Sequence, residues 1–395
     1  MSDLIERAKK IQSPVLGHYT ELEVVRGKGA YLYDKQDNAY LDFACGIAVT
    51  NLGHCHPKVV AAVKKQTSQL IHNCAGVTYN EANIKFSEDL VAVTPEGLDH
   101  VFLCQSGSEA VEGGLKLARY VTKKPGIIAF KGGFHGRSLG ATSVTSSKEK
   151  YYKPYEPLIP EVHILERDLA EVHKLDFSKI GAVITELVTG EGGYFVQDKA
   201  FIQGLRKLCA EKDALLIFDE VQTGFGRTGT MFGCEYFEVI PDVMALAKGI
   251  ASGFPLGALV INKKYSEKWS TGAHGGTFTG NLVACAAGSA NIEEIKKLLP
   301  KLPAKAKKLK KGLAKLAKKY PGKIKEIRGL GLMLAVDLGD PGYVKKVRAK
   351  ALEKKLLLIS CGPEDNALRI VPPLIIKPKE IDLALSILEE VLAQI

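Results

Sequence analysis

Five short, strongly apolar runs constrain the fold of this chain more than any other feature of its sequence. They lie at residues 101–104, 127–130, 182–188, 214–221 and 256–262. Nearly all of them end in a polar or glycine-rich turn, and helical stretches such as 109–121 and 201–212 lie between them. This alternation is typical of buried parallel strands and predicts an α/β fold. Because ligands of such sheets bind outside the carboxyl ends of the strands, we expect the functional site at that edge.

The last hundred residues follow a different pattern, which predicts a smaller α+β unit with its own core. A lysine-rich helix is followed by strands at 332–337, 356–360 and 368–371, and by helices at 342–354 and from residue 379. Pro300 and Pro303 mark the entrance to this unit.

The net charge of +10 is concentrated in one segment. Thirteen lysines and no acidic residue lie between Lys296 and Lys325. Apolar residues recur there every three or four positions, which predicts a helix with one buried stripe and a solvated basic face. The segment has almost no arginine and no interleaved aromatic residues, so it favours a surface role over a polyanion-binding one. We therefore expect no nucleic-acid partner.

The cysteines and the amino terminus indicate an intracellular protein without a metal site. Eight cysteines are scattered without a CxxC motif, as expected of reduced thiols. The cluster His54-Cys55-His56, followed by His72 and Cys74, points its side chains in different directions and favours a polar turn over a zinc site. No apolar run approaches the roughly 18 residues of a membrane span, and residues 1–12 lack a signal peptide's apolar stretch. We expect a cytoplasmic protein that does not contact the membrane.

Three polar features at strand ends together indicate a cofactor site. The segment Gln105–Glu109 leads from a strand into a helix, where Ser106 and Glu109 have capping-box spacing and the first amides can bind phosphate or carboxylate. Asp219 ends a buried strand, and Lys248 follows the apolar run 243–247. Each feature alone also has an ordinary structural explanation. In combination they match what pyridoxal phosphate requires, which is amides for its phosphate, an acid for its ring nitrogen and a lysine for its aldehyde.

The segment Gly224–Gly229 offers an alternative, because it matches the GxGxxG pattern of dinucleotide-binding folds. A nicotinamide enzyme would need a helix opening at the last glycine, and residues 230–237 have no helical period. Asp219 and Glu220 also end the preceding strand where pyrophosphate would approach. An NAD-dependent oxidoreductase is therefore the less favoured hypothesis.

Nine ordered motifs carry a resemblance to a known family. They are DFACGIAVTNLGHCHP (42–57), SGSEAVEGGLKLAR (106–119), FHGRSLG (134–140), GEGG (190–193), FDEVQTGFGRTG (218–229), AKGIASGFPLGA (247–258), HGGTFTGN (274–281), RGLGLM (328–333) and LRIVPPL (368–374). On these motifs the chain resembles the class III (subgroup II) aminotransferases, which include acetylornithine, ornithine and 4-aminobutyrate aminotransferases. The resemblance covers nearly the whole chain.

The resemblance implies a fold-type-I pyridoxal-phosphate enzyme whose large domain contains a mainly parallel seven-stranded sheet, joined to a smaller α+β domain. It implies an N-terminal segment (1–53) packing with the small domain, a large cofactor-binding domain (54–290) and a C-terminal small domain (291–395). It also implies a homodimer with a shared active site, or a higher assembly.

The resemblance further assigns cofactor roles to individual residues. Lys248 would bond to the cofactor aldehyde and later move the substrate proton, and Asp219 would pair with the ring nitrogen. The remaining cofactor contacts are the phosphate-binding Gly107 and Ser108 with Thr277 of the partner subunit, the ring-stacking Phe134 and Val221, Gln222 at the phenolic oxygen, and His135 and Glu186 around them.

Four residues would set specificity by the same resemblance. Arg369 matches the arginine that binds the α-carboxylate of glutamate or 2-oxoglutarate, and Glu191 matches the acid that covers this arginine when a terminal amine is the donor. Arg137 matches an arginine near the distal carboxylate in 4-aminobutyrate enzymes. Ile47 stands where ornithine enzymes tend to have an aromatic residue. The implied reaction is a ping-pong transfer of an amino group from a small-molecule donor to 2-oxoglutarate.

The subfamily is less sharply marked than the family. The motif at 106–119 and the segment ISCGPEDNALRI (359–370) resemble the 4-aminobutyrate group most. We therefore expect an ω-amino-acid:2-oxoglutarate aminotransferase of 4-aminobutyrate type. An acetylornithine or ornithine-type aminotransferase is the alternative, and an aminomutase on the same fold is a rival of another type.

Overall fold

A computed structural model describes residues 3–395, so the first two residues of the predicted N-terminal segment lie outside it. Its strands are β1 Arg26–Lys28, β2 Tyr31–Tyr33, β3 Ala39–Asp42, β4 Leu98–Cys104, β5 Gly126–Phe130, β6 Val162–Leu165, β7 Ile180–Glu186, β8 Leu215–Asp219, β9 Val243–Leu246, β10 Gly257–Asn262, β11 Glu326–Leu330, β12 Met333–Asp337, β13 Leu356–Leu357, β14 Ile359–Cys361 and β15 Ala367–Ile370.

The α-helices alternate with these strands through much of the chain. They are α1 Asp3–Ile11, α2 Cys45–Ala48, α3 Pro57–Gln69, α4 Glu81–Val91, α5 Gly107–Thr122, α6 Leu139–Ser143, α7 Leu169–His173, α8 Lys199–Glu211, α9 Gly233–Phe237, α10 Lys263–Ser266, α11 Leu282–Leu298, α12 Leu302–Lys319, α13 Pro341–Glu353 and α14 Pro378–Gln394. Short 3-10 turns occupy Glu149–Tyr151, Lys153–Tyr155, Lys248–Ile250 and Leu299–Lys301.

A seven-stranded sheet forms the centre of the molecule, in the order β4-β10-β9-β8-β7-β5-β6. The expectation of a mainly parallel seven-stranded sheet is confirmed. The run at 256–262 was expected to form a parallel strand, but β10 is antiparallel to both of its neighbours. A fully buried strand is apolar on both faces whichever way it runs, so its residue pattern carries no direction.

Helices cover both faces of this sheet, which gives the three layers of an α/β fold. Leu115 and Ala118 of α5 pack on one face together with Ile217 of β8. Phe201 and Leu205 of α8 pack on the other face. The strands β7, β8 and β9 between the layers are entirely buried.

The C-terminal residues form a second core around the antiparallel sheet β11-β12-β15-β14. In the lysine-rich helix α12, the buried stripe consists of Leu309, Leu313 and Leu316, as the spacing predicts. On its outer face, Lys308 and Lys319 pair with Asp382 and Glu389 of α14. Part of the basic face is therefore neutralised within the protein.

The N-terminal strands form a third sheet with a strand from the C-terminal part, in the order β1-β2-β3-β13. Leu41 and Asp42 of β3 pair in parallel with Leu356 and Leu357 of β13. Leu41 and Phe43 belong to the same core as α12 and α14. The domain boundaries at 53/54 and 290/291 stay a prediction.

Among residues 3–395, no helix is long and apolar enough to cross a membrane.

Candidate active site

A cavity of about 360 Å³ opens at the carboxyl edge of the seven-stranded sheet. Because the parallel strands end together there, residues far apart in sequence meet. Ten of the residues assigned by resemblance line this cavity: Gly107, Ser108, Phe134, His135, Arg137, Glu186, Asp219, Val221, Gln222 and Lys248.

The turn between β4 and α5 forms a cradle of backbone amides at one side of the cavity. Ser106 is the N-cap of α5, and its Oγ accepts a hydrogen bond from the Glu109 amide at 3.2 Å. A Cβ atom on Gly107 would lie 3.0 Å from the Val221 side chain, so only glycine keeps this space open. The amides and the positive end of the helix dipole suit a phosphate group.

The Asp219 carboxylate lies at the end of β8 and is 5% exposed. Its Oδ2 is 2.7 Å from the His135 Nδ1, and its Oδ1 accepts from the Val221 amide at 3.0 Å. Burial disfavours the charged imidazole, but the hydrogen bond and charge of Asp219 raise the pKa of His135 above its ordinary value. These hydrogen bonds hold the Asp219 carboxylate in a fixed position at the cavity wall.

Glu186 ends the neighbouring strand β7, directly opposite Asp219 in the parallel register. Its carboxylate accepts hydrogen bonds from the amides of Phe134 at 2.9 Å and Gly190 at 2.7 Å. Burial and the neighbouring charge of Asp219 raise the pKa of Glu186. Glu186 therefore fixes the two loops that line the cavity.

Lys248 lies just after β9, with a left-handed backbone conformation (φ 47°) that turns its side chain into the cavity wall. Burial lowers the pKa of Lys248, and the positive charge of Arg369 lowers it further. Within the described part of the chain, its amine has no hydrogen-bond partner. An unpaired amine with a depressed pKa is suited to attack a carbonyl group.

These groups fit pyridoxal phosphate. Polar atoms at the cavity that have no partner in the protein provide the test of this fit. Gln105 Nε2 in the cavity wall is buried without a hydrogen-bond partner among residues 3–395. Tyr194 donates to Gln222 Oε1 at 2.6 Å, which leaves the Gln222 amide nitrogen to donate toward the cavity. An amide cradle, a buried acid, a free amine and spare amide donors together match the polar groups of this cofactor.

A buried ion pair between Arg369 of β15 and Glu191 lies beyond the Lys248 side of the cavity, and the two residues do not line it. The Arg369 side chain is fully buried, and its Nη2 donates to the Glu191 carboxylate. Burial raises the pKa of Glu191, but the charge and hydrogen bond of Arg369 outweigh this effect, so that pKa is lowered. The Arg369 Nη1 atom is buried with no partner in the described residues, so one donor remains for a ligand.

Of the two other predicted substrate residues, Arg137 lines the cavity and Ile47 does not. The exposed Arg137 guanidinium stacks 3.8 Å from the Tyr151 ring centroid. Ile47 lies in α2, where all four residues have positive φ and form one left-handed turn. A β-branched residue in this conformation is strained, which is characteristic of functional segments.

Thr277 lies apart from the cavity, on the exposed segment before α11. Its assignment to the partner subunit's site stays a prediction.

Several site residues escaped the sequence analysis. Gln105 was noted only as part of a helix cap, although its unpaired amide could be expected in an anion-binding turn. Tyr151 and Tyr194 gave no signal, because single tyrosines are common in cores. Lys148 and Asp365 form a 2.8 Å ion pair beside the site, across 217 residues of sequence.

The GxGxxG segment has a structural role instead of binding a dinucleotide. Arg227, fully buried, donates to the carbonyls of Leu332 and Pro372 and to the Asn51 side chain at 2.5 Å. It thereby joins the N-terminal segment to the C-terminal core. The nearby His54 pairs with Asp42 at 2.8 Å, and residues 3–395 contain no group of three His, Cys, Asp or Glu placed to hold a metal ion.

Comparisons with known proteins agree with this geometry. The family model of aminotransferase class-III matches residues 14–392. Acetylornithine aminotransferase of Caldanaerobacter subterraneus is 43% identical over 383 residues, which cover 94% of this chain and 95% of the relative. Acetylornithine aminotransferase of Methanocaldococcus jannaschii is 41% identical, covering 99% of this chain and 98% of the relative.

Solved structures give the same result. A transaminase from Virgibacillus superposes with a TM-score of 0.92 at 28% identity, covering 100% of this chain and 99% of that one. Ornithine aminotransferase of Toxoplasma gondii, described with partial occupancy of pyridoxal phosphate at its active site, has a TM-score of 0.89 at 28% identity and covers 99% and 94%.

The sheet and the strand-end groups define a pyridoxal-phosphate-dependent transferase of fold type I. Within that class, the chain belongs to the class III aminotransferases.

Proposed function

We propose that this aminotransferase moves the terminal amino group of N-acetylornithine to 2-oxoglutarate. The similarity to relatives named acetylornithine aminotransferase, 43% identity over 94% of the chain, carries this proposal. The sequence motifs had favoured a 4-aminobutyrate donor, with acetylornithine as the alternative. The comparisons favour that alternative.

The arrangement of charges supports a donor with a terminal amine and a distant carboxylate. Glu191 neutralises Arg369, so this arginine does not attract the carboxylate of a donor to the region near Lys248. Arg137 at the mouth has no carboxylate partner within residues 3–395 and can bind the donor's far end. Ile47 offers an aliphatic side chain, which suits a neutral acylamide better than the charged α-ammonium of free ornithine.

The protein's own groups have distinct tasks in this reaction. When bound, pyridoxal phosphate supplies an electrophilic carbonyl and a ring that accepts the negative charge left by the substrate proton. The Lys248 amine would hold and return that proton, because burial lowers its pKa and so favours the neutral form that accepts a proton. Asp219 keeps a negative charge at the ring nitrogen. Arg369 would bind the α-carboxylate of 2-oxoglutarate once Glu191 has left it.

Single-turnover absorbance measurements would test the donor. The cofactor-loaded protein should lose its cofactor band fastest with N-acetylornithine, and 2-oxoglutarate should restore the band. We expect ornithine to react at least about tenfold more slowly, a difference of roughly 1.4 kcal/mol for placing its ammonium beside Ile47. Faster bleaching with 4-aminobutyrate would show that 4-aminobutyrate, and not N-acetylornithine, is the preferred donor. The roles proposed for Lys248 and Asp219 would not change.

We propose that the enzyme works as a homodimer in which Thr277 of each chain reaches the other site. Large apolar side chains are exposed together beside Thr277 and on the segment before α4: Leu70, Ile71, Val77, Tyr79 and Phe278. Contiguous exposed apolar groups of this kind typically mark an interface.

Sedimentation velocity would test this assembly. The wild-type protein should have the mass of two chains, and Tyr79→Lys combined with Phe278→Lys should shift it toward monomers and lower activity with it. Ile240→Lys, at another exposed apolar residue, before β9, serves as the control and should stay dimeric. A fully active wild-type monomer would contradict the proposal.

A further inference from the structure

Binding of 2-oxoglutarate to Arg369 would leave the Glu191 carboxylate without its present cationic partner. Arg369 Nε donates to the Ser360 carbonyl at 2.9 Å, and Nη2 donates to Glu191. A substrate carboxylate that takes both Nη atoms must displace Glu191. The released carboxylate is only 15% exposed, and a buried charge without a partner is strongly unfavourable. Another cation is needed to receive it.

Lys148 provides a buried cation beside this pair. Its side chain is 7% exposed, and its Nζ is 2.8 Å from Asp365 Oδ1. Asp365 also accepts a hydrogen bond from Ser360 Oγ at 3.1 Å, so Lys148 and Arg369 are linked through Ser360 and Asp365. An ammonium group has three donors. Asp365 takes one of them, which leaves donors for a second carboxylate.

The backbone holds Glu191 next to the loop that carries Asp365. The Gly362 amide donates to the Glu191 carbonyl at 3.0 Å, and the Asp365 amide donates to the Gly362 carbonyl at 3.1 Å. Burial raises the pKa of Glu191, whereas the charges of Arg369, Lys248 and Lys148 lower it. Arg369 is the group that the substrate takes, and Lys248 is needed at the reacting carbon. Lys148 is the remaining cation in this set.

We propose that Lys148 is a positioning residue that receives the Glu191 carboxylate whenever a dicarboxylate substrate occupies Arg369. Glu191 then alternates between two cations, Arg369 in the donor half-reaction and Lys148 in the acceptor half-reaction. This inference rests on the proposed function only in that 2-oxoglutarate, or its product glutamate, is the second substrate. It explains how one site accepts both a terminal-amine donor and a dicarboxylate without leaving a buried charge unpaired.

The two half-reactions of Lys148→Gln would test this role. The glutamate half-reaction should slow by about tenfold, and the affinity for glutarate, an unreactive dicarboxylate measured by calorimetry, should fall by a similar factor. The half-reaction with the terminal-amine donor should change less than about twofold, because Glu191 stays on Arg369 there. Lys153→Gln, at an exposed lysine of the neighbouring turn, should leave all three quantities unchanged.

A merely structural role for Lys148 predicts different results. If Lys148 only holds the C-terminal loop in place, both half-reactions should slow equally, and the loss should persist when Glu191→Gln is also present. Under the proposal, Lys148→Gln adds no further loss of glutarate affinity in the Glu191→Gln background. Glutamine at position 191 has no negative charge, so it needs no cation when glutarate displaces it from Arg369. Lys148→Arg should retain selective glutarate binding.

Two further measurements distinguish a failure of this proposal from misfolding of the variant and from an error in the proposed donor. If Lys148→Gln is unstable, Lys148→Gln with Asp365→Asn removes both charges of the pair and should show the same selective loss. The glutarate measurement needs no donor, so an error in the donor assignment would appear only in the single-turnover series. The proposal would be overturned if Lys148→Gln, alone and combined with Asp365→Asn, bound glutarate as tightly as the wild type does.

Discussion

The largest loss of activity should follow from Lys248→Ala, which should reduce transamination by at least about 10⁴-fold. On the proposed roles, the change removes the amine that bonds to the cofactor and the base that moves the substrate proton, and proton transfer alone contributes roughly 10²–10⁴-fold. The cavity, the cradle at Gly107 and the Asp219 carboxylate stay in place. The variant should therefore still bind pyridoxal phosphate, although without a covalent bond.

Borohydride reduction followed by mass spectrometry gives a readout that does not depend on turnover. Reduction should attach the cofactor permanently to Lys248 in the wild-type protein and leave Lys248→Ala unlabelled at that peptide. Lys207→Ala, at a lysine whose side chain is 79% exposed, should behave as wild type in both assays. Normal turnover or unchanged labelling in Lys248→Ala would exclude this lysine as the catalytic amine.

The second large effect should come from Asp219→Ala. Loss of a buried charged partner weakens binding by about 2–5 kcal/mol, so cofactor affinity should fall sharply. Turnover should fall at least about 100-fold, since every 1.36 kcal/mol of lost transition-state stabilisation is a factor of ten. Asp219→Asn keeps the shape of the side chain and removes its charge. It should therefore lie between the wild type and Asp219→Ala.

The ionisation of His135 provides an independent measurement in these variants. In the wild type, Asp219 raises the pKa of His135 against the opposing effect of burial. Without the carboxylate, burial and the charge of Arg167 lower the pKa of His135 and the charge of Glu186 raises it, so the pKa should fall below its wild-type value and the ring should lose its proton at lower pH. NMR titration of ¹⁵N-labelled histidine in the cofactor-free protein would follow this change. An unshifted His135 titration would show that Asp219 does not control the ring.

The strand-end residues could be predicted from the sequence because burial leaves a clear pattern. A polar residue such as Asp219 or Lys248 after four or five buried apolar residues can be recognised from a single sequence. The edge strand β6 was missed because its four residues are only half buried and alternate little. The direction of β10 could not be inferred, since pairing partners decide it and an apolar run does not.

The Lys148–Asp365 pair illustrates a different reason for failure. In sequence, both residues lie in charged segments, KEK and PED, that are typical of exposed loops. Only the meeting of a large-sheet loop with a C-terminal loop buries the lysine. Contacts between residues so distant in sequence leave no local pattern from which they could be predicted. Arg369 and Glu191 could be identified because they lie in motifs that resemble those of the family.

The pairing of β3 with β13 has a consequence for how the protein is made. A growing chain carries Lys248 and the complete cofactor cradle out of the ribosome more than a hundred residues before β13 and β15 are synthesised. Until then, β3 lacks its parallel neighbour and the substrate arginine Arg369 does not exist. Contacts between such distant segments form late, because loop closure must precede them. The nascent enzyme thus contains the residues proposed to hold the cofactor before it contains the arginine proposed to bind the α-carboxylate of the substrate.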